Sequence, residues 1–215
     1  MTRKYFIGVI AMAAIVVASN ILVQHLLGDW LTWGAITYPF AFLVTDVMNR
    51  IYGPGPARKV VLAGFVVGVL CSLIGTQIMV EFEPGVTGPA VTLRVAIGSG
   101  TAFLLAQLVD IAVFDRMRGG KWWRAPLASS IIGSALDTAV FFSIAFAAAF
   151  NWIEPGSVPG WAQEGVPLLG TGPIVPLWMS LALADWMVKL SLAMIALVPF
   201  RLIVSRVPGN RTEMA

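Results

Sequence analysis

Five ionisable side chains sit in stretches otherwise built of apolar, small and amide residues. They are Asp46 in "PFAFLVTDVM", Asp110 in "QLVDIAVF", Asp137 in "SSIIGSALDTAVFF", and Asp185 with Lys189 in "LADWMVKL". A carboxylate in such a setting has three uses: accepting paired N–H donors from a ligand, holding a proton, or neutralising a cation. Asp137 has no basic residue near it in sequence, so pairing within its own helix does not account for it. Asp185 and Lys189 are four residues apart and share one helical face. Two readings of them stand side by side: an internally neutralised pair, or a gate or proton-coupling site in which the lysine releases the carboxylate when substrate binds. Asp46 has Arg50 at the same spacing, which permits a structural ion pair. Asn20 and Gln24 make a second i,i+4 polar face, and Gln107 places an amide one turn before Asp110. Ser130, Gly133 and Ser134 share a stripe with Asp137. Tight helix contact through small residues explains the glycine and serines of that stripe, but not the aspartate.

The solvent around these groups follows from composition. Of 215 residues, 58% are hydrophobic and only 12% charged, against about 25% charged in soluble domains. Runs near 20 apolar residues recur, each long enough to cross about 30 Å of hydrocarbon. The chain reads as one all-α integral membrane domain over 1–215, with six spans at about 5–27, 34–51, 60–80, 94–114, 126–150 and 176–200. The first follows "TRK", as a signal peptide would, but apolar residues continue to Leu27, which favours a retained helix. The second carries Gly34 and Pro39. Tyr38, preceding proline, is biased away from helix, so this span is expected to enter as non-helical backbone and become helical after Pro39.

Charge sets orientation. Arg3 and Lys4, then Arg50, Arg58 and Lys59, then Arg116, Arg118, Lys121 and Arg124, and finally Arg201, Arg206 and Arg211 fall at one set of span ends. The opposite connections carry Asp29, Glu81, Glu83, Glu154 and Glu164, with Arg94 the only base. The positive-inside rule then puts both termini in the cytoplasm. The connection at 151–175, with Trp152 and Trp161, reads as an interfacial loop or as a lid over an outward-facing cavity.

An ionised aspartate at a helix centre costs roughly 2.5–3.5 kcal/mol. Several facing lipid would consume much of a stability of about 5–15 kcal/mol, so these groups are expected to face the bundle interior. Other chemistries are set aside. There is no G-x-x-x-x-G-K-[ST] loop, no H-E-x-x-H and no G-x-S-x-G. One histidine (His25) and one cysteine (Cys71) do not make a zinc site, and no cofactor or metal is expected. The net charge of +3 lies beside the spans and does not point to nucleic acid. An aspartate dyad sharing a proton is open in principle, but no sequence feature pairs two of them.

Specific strings add a resemblance. "YPFAFLVTDVMNRIYGPGPARKVVLAGF" (38–65), "QLVDIAVFDRMR" (107–118), "WWRAPLASSIIGSALDTAVFFSIAF" (122–146) and "SNILVQ" (19–24) are similar to the queuosine precursor transporter family, a group of vitamin-uptake-like membrane proteins. The resemblance implies a non-enzymatic inner-membrane importer of 7-cyano-7-deazaguanine and 7-aminomethyl-7-deazaguanine. It also implies six helices in a fold like the substrate-binding subunits of energy-coupling-factor transporters. A guanine-like edge offers two adjacent N–H donors that one carboxylate accepts, and its carbonyl needs a donor such as Asn or Gln. Asp137 is the expected partner of the donor edge, with Asn20, Gln24 and Gln107 as amide partners and with Asp46, Asp110, Asp185 and Lys189 behind them. Asp137 turned to acyl chains, or locked to a cation with no void beside it, would count against that assignment. Two alternatives stand: a subunit depending on a separate ATPase module, for which "AIVVA" (14–18) offers a small-residue docking face, and an intramembrane enzyme using two aspartates. The partners expected are the deazapurine and the bilayer, with a homodimer left open.

Overall fold

The structure is a computed structural model that describes residues 3–23, 25–27, 31–83 and 85–207. Gln24, Asp29 and Arg211 lie outside the described residues. The chain runs α1 (Arg3–Leu22), β1 (Leu26–Leu27), β2 (Leu31–Thr32), α2 (Trp33–Thr37), α3 (Phe40–Tyr52), α4 (Pro54–Gly75), β3 (Met79–Glu83), β4 (Val86–Pro89), α5 (Leu93–Met117), α6 (Arg124–Phe146), β5 (Gly165–Pro167), β6 (Ile174–Pro176) and α7 (Leu177–Ser205). Among the described residues five helices, α1 and α4 to α7, are long and apolar enough to cross a membrane. The all-α expectation is met in the main. However, β1–β2, β3–β4 and β5–β6 are antiparallel pairs, so three of the connections contain short hairpins.

The second expected span is two helices, α2 and α3, neither long enough alone to cross. The expectation of a non-helical start is corrected here. Tyr38 (φ −58, ψ −41) and Pro39 (φ −57, ψ −21) both keep right-handed helical dihedrals. What breaks the helix is the missing proline N–H, after which Ala41 N and Phe42 N bond three residues back, to the Tyr38 and Pro39 carbonyls at 2.9 and 3.1 Å. The local bias at Tyr38 yields to tertiary contacts: its ring meets Phe42 and Phe103 edge-on and its hydroxyl donates to Asp137.

Other boundaries move for readable reasons. α1 stops at Leu22 instead of Leu27, and the chain turns through Val23 N to Ser19 O and His25 N to Leu22 O before pairing β1 with β2. α4 starts at Pro54, a residue suited to a first helical position. It follows Gly53, whose φ of +83 few other residues adopt cheaply. Arg58 and Lys59 therefore lie exposed within the helix and not in the connection before it.

Contacts between helix ends show the threading. Tyr5 at the start of α1 stacks edge-on with Tyr52 at the end of α3, centroids 5.9 Å apart. Arg118 after α5 donates to the Asn49 and Arg50 carbonyls at 2.8 and 3.2 Å. Arg201 of α7 lies 4.9 Å over the ring of Trp122, just before α6. These basic ends share one side of the bundle. At the other end of α1, Ser19 bonds Thr37 of α2 at 3.0 Å. The stretch 33–52 thus runs antiparallel to α1, and a helical path of that length spans about 30 Å.

The interior mixes polar groups with apolar side chains, and the exterior is apolar. Thr45, Asn49, Arg94, Gln107, Asp110 and Ser129 are completely buried, while Leu62, Val66, Leu70 and Leu73 on α4 and Met194, Ile195, Val198 and Leu202 on α7 are exposed. That inversion suits a lipid solvent, which rewards buried polar contacts and small-residue approach more than buried leucine. Arg94 lies at the edge of its span, in the first turn of α5, and is fully buried there. Its Nε donates to Ile144 O (2.9 Å) and its Nη2 to Ala147 O (2.7 Å), satisfying carbonyls at the end of α6, and Glu154 accepts from its backbone N–H at 3.2 Å. The 151–176 segment is tied down similarly: Gln163 Nε2 donates to Phe146 O at 2.7 Å, Trp161 stacks on Phe146, and Leu169 N donates to Ser180 Oγ at 2.9 Å.

Candidate functional site

The cation missing from the neighbourhood of Asp137 comes from α7. Lys189 Nζ lies 2.8 Å from Asp137 Oδ2 and 2.6 Å from Asp185 Oδ2. It also donates to Thr138 Oγ1 at 3.0 Å, and Thr138 in turn donates to Asp185 at 2.9 Å. Tyr38 Oη donates to the other Asp137 oxygen at 2.9 Å. Asp137 and Lys189 are 3% and 6% exposed, so this is a buried network of two acids and one base that joins α6, α7 and the α2–α3 junction. The i,i+4 pair is real, but its lysine is shared with a third group that sequence spacing could not supply. Asp137 is locked to a cation, and both its oxygens are occupied.

The void lies along α6 from there. A small cavity is lined by Phe42, Leu43 and Asp46 from α3, Ser130 and Ser134 from α6, and Lys189 and Phe200 from α7. It accommodates about one water and not a bicyclic ring. Asp46 turns to α6 and not to Arg50: it accepts from Ser129 Oγ at 3.0 Å and Ser130 Oγ at 3.3 Å. Arg50 Nη1 donates to the Arg118 carbonyl at 3.1 Å.

Thr45, Asp46 and Asn49 thereby divide their work. Thr45 Oγ1 donates to Ala41 O at 3.1 Å and bonds the Gln107 side chain at 2.5 Å. Its single hydrogen has two acceptors while the Gln107 amide nitrogen has none; a half-turn of that amide satisfies both groups. Asn49 Nδ2 donates to Ile111 O at 3.1 Å, and its Oδ1 accepts from Arg118 at 2.7 Å. Thr45 and Asn49 fasten α3 to α5, and Asp46 is the member left facing the void. Asp110 sits beside this group, fully buried.

Of the eight residues expected at the site, Asp137, Asp185 and Lys189 form one cluster and Asp46 and Asp110 a second, with Gln107 one turn from Asp110. Asn20 is apart from both and donates to its own helix, at Val16 O, 2.8 Å away. Gln24 lies outside the described residues. Sequence reasoning did not single out Tyr38 or Thr138; the proline after Tyr38 and the S-x-L-D-T string were the signals for them. Gly133 brings α6 against α5 and α3, since a Cβ there would sit 2.8 Å from Phe42 Cε1 and 3.3 Å from Asp110 Cβ. Gly133→Val should destabilise the protein by roughly 1–3 kcal/mol through overpacking, read as a lower thermal midpoint in detergent. An unchanged midpoint would mean that the helices do not meet there.

Carboxylates, hydroxyls and one lysine turned inward around a small void, within a coat of lipid-facing aliphatics, define a multi-pass membrane protein with an internal polar chamber. The comparisons name its kin. The family model described as "Putative vitamin uptake transporter" matches residues 32–204, and the chain belongs to that family. It is 33% identical over 189 residues to the "Probable queuosine precursor transporter" of Haemophilus influenzae, covering 85% of this chain and 72% of that one. It is 31% identical over 200 residues to the "Queuosine precursor transporter" of Escherichia coli, covering 86% and 79%. A "Probable queuosine precursor transporter" of Bacillus subtilis is 30% identical over 136 residues, covering 57% and 59%. No solved structure matches the chain.

Proposed function

We propose that this protein is an importer of queuosine precursors, 7-cyano-7-deazaguanine and 7-aminomethyl-7-deazaguanine, across the inner membrane. The observation that carries this reading is the cavity in which Asp46, Ser130, Ser134 and Lys189 meet between Phe42 and Phe200. Asp46 takes over the role first expected of Asp137, because Asp46 lines the cavity with only hydroxyl partners, whereas Asp137 is paired with the Lys189 cation away from the lining. Its carboxylate accepts N1–H and the exocyclic amine, a serine hydroxyl donates to the ring carbonyl, and the phenyl rings cover the flat faces. Such groups left unpaired in a dry site cost a few kcal/mol, which favours a deazapurine over apolar solutes. The cavity must widen to admit it. α7 is the element suited to move, since Pro199 lies within it beside the cavity-lining Ala196, Leu197 and Phe200, and a proline interrupts helical hydrogen bonding.

The antiparallel course of 33–52 against α1 supports six crossings, with α2 and α3 together making the second. The shared side of the basic helix ends supports cytoplasmic termini. The relatives' names favour a carrier over an enzyme. Ala14 is exposed and Ala18 half-buried on α1, which keeps alive the second reading, a subunit docked on an ATPase module.

Rescue tests the reading. Cells that cannot make the deazaguanine, expressing this gene and fed either precursor at nanomolar concentration, should regain queuosine in tRNA. No queuosine with the protein present in the membrane would overturn it. Uptake by the lone protein in liposomes would set aside the ATPase-dependent form.

A further inference from the structure

The polar network and the cavity lie at different depths. Measured from the basic ends of α3, α6 and α7 at about 1.5 Å per residue, the helix residues lining the cavity stand about 3–18 Å in, and the network of Tyr38, Asp137, Thr138, Lys189 and Asp185 about 20–30 Å in. The network is therefore the floor of the cavity on the side away from the basic ends. Lys189 belongs to both, since it lines the cavity and binds Asp137 and Asp185.

The two sides of the cavity are closed by different means. Beyond the network, Phe141, Phe142 and Phe146 of α6 stack on one another and, through Phe146, on Trp161, with centroids 5.3–6.2 Å apart. The segment that holds Trp161 is fastened to α6 by Gln163 and to α7 by the Glu164 carbonyl, which accepts from Leu177 N at 2.8 Å. On the basic side, Phe200 forms a wall of the cavity and packs with Phe114, Ala125 and Val204 in a buried hydrophobic cluster, one residue past Pro199. Parting apolar side chains there breaks no hydrogen bond between them.

Parting α6 from α7 at the network breaks three polar contacts: Lys189 to Asp137 at 2.8 Å, Lys189 to Thr138 at 3.0 Å, and Thr138 to Asp185 at 2.9 Å. Lys189 and Asp185 share α7 and lie 2.6 Å apart, so they stay paired when that helix withdraws. Asp137 keeps the Tyr38 hydroxyl and loses its cation. A buried carboxylate deprived of its partner is strongly unfavourable, so this side stays shut until another donor reaches Asp137. A guanine-like edge carries two N–H donors.

We propose that the Asp137–Lys189 contact is the gate on the side away from the basic ends, and that it opens to a ligand whose N–H donors replace Lys189 on Asp137. The inference rests on the transport reading and the orientation above, which make that side the entry. The ligand then moves on to Asp46, about 10 Å farther along the helices. Asp137 and Asp46 are successive acceptors for one donor edge, the first during passage and the second at rest. A solute without such donors leaves Asp137 stranded and does not open the gate.

A cross-link tests it. In a chain whose single cysteine is removed by Cys71→Ala, Thr138→Cys and Asp185→Cys put thiols where the two side chains now touch, and Lys189 keeps Asp137. With the disulfide formed, uptake of 7-cyano-7-deazaguanine into liposomes should fall by at least about tenfold and return on reduction. Binding to the oxidised protein in detergent, reached from the basic side, should stay within about twofold of the reduced form. Two cysteines that do not cross-link under oxidant overturn the proposal, as does a cross-linked protein that imports like the reduced one or loses binding along with uptake. If the cysteine pair does not fold, the neutral triple variant Asp137→Asn, Asp185→Asn, Lys189→Met decides. Liposomes loaded with the precursor should then leak it at least about tenfold faster than with the parent, and an equal rate overturns the proposal. Absence of precursor binding by the parent is a distinct result: it overturns the transport reading, and this inference with it.

Discussion

Lys189→Met should cost about 3–5 kcal/mol of stability, the usual result of leaving a buried charge without its partner. Lys189 is the one cation within 3 Å of Asp137 and Asp185 among the described residues, so its loss strands two acids in a low-dielectric interior. Asp137 would keep the Tyr38 hydroxyl and Asp185 that of Thr138, which is too little to solvate two anions. Methionine fills a similar volume, so the effect is electrostatic and not a cavity. On a total stability of about 5–15 kcal/mol, most of the protein should be lost at the membrane or unfold about 6–20 °C early in detergent. The neutral triple variant Asp137→Asn, Asp185→Asn, Lys189→Met should recover most of that loss, because a buried ion network replaced as a whole is near neutral. A single Lys189→Met variant as stable as its parent would show that this network does not hold α6 to α7.

Asp46→Asn should lower precursor affinity by about a hundredfold to a thousandfold. The carboxylate offers two acceptors to the ligand's donor edge. An asparagine offers one, and turns N–H against the second donor. Two charge-assisted hydrogen bonds at about 1.5–3 kcal/mol each make such a factor. The fold should survive, since the asparagine oxygen still accepts from Ser129 or Ser130. Asp137→Asn should behave in the opposite way, with its main effect on stability, because Asp137 is committed to Tyr38 and Lys189. Direct binding to purified variants checks both. Should Asp137→Asn abolish binding at unchanged stability while Asp46→Asn binds like the parent, the cavity is the wrong site.

The two outcomes separate what each acid does, a division the spacing of the chain does not reveal. Asp46 and Asp137 look alike as letters, each an acid within an apolar run. The expectation favoured Asp137 because no base lies near it in sequence, yet its base stands 52 residues away on α7. Asp46 looked like the ordinary one because Arg50 is four residues on, yet it turns to α6. Local spacing states which side chains share a helical face; it is silent about which helix that face meets.

Composition settled the solvent, and the solvent settled much else. With 12% charged residues the chain had to lie in lipid, lipid had to drive its few ionisable groups inward, and the long apolar runs had to be helices because each satisfies its own backbone. Five of the six expected spans are long helices, and the acids are buried, as that reasoning requires. Other features came only from the three-dimensional contacts. They include the sharing of Lys189 by two acids, the side-by-side placing of Asp46 and Asp110, the position of the void, and the helical conformation of Tyr38 ahead of a proline. Each depends on the crossing of helices distant in sequence, and the energies involved exceed the local preferences that a sequence displays.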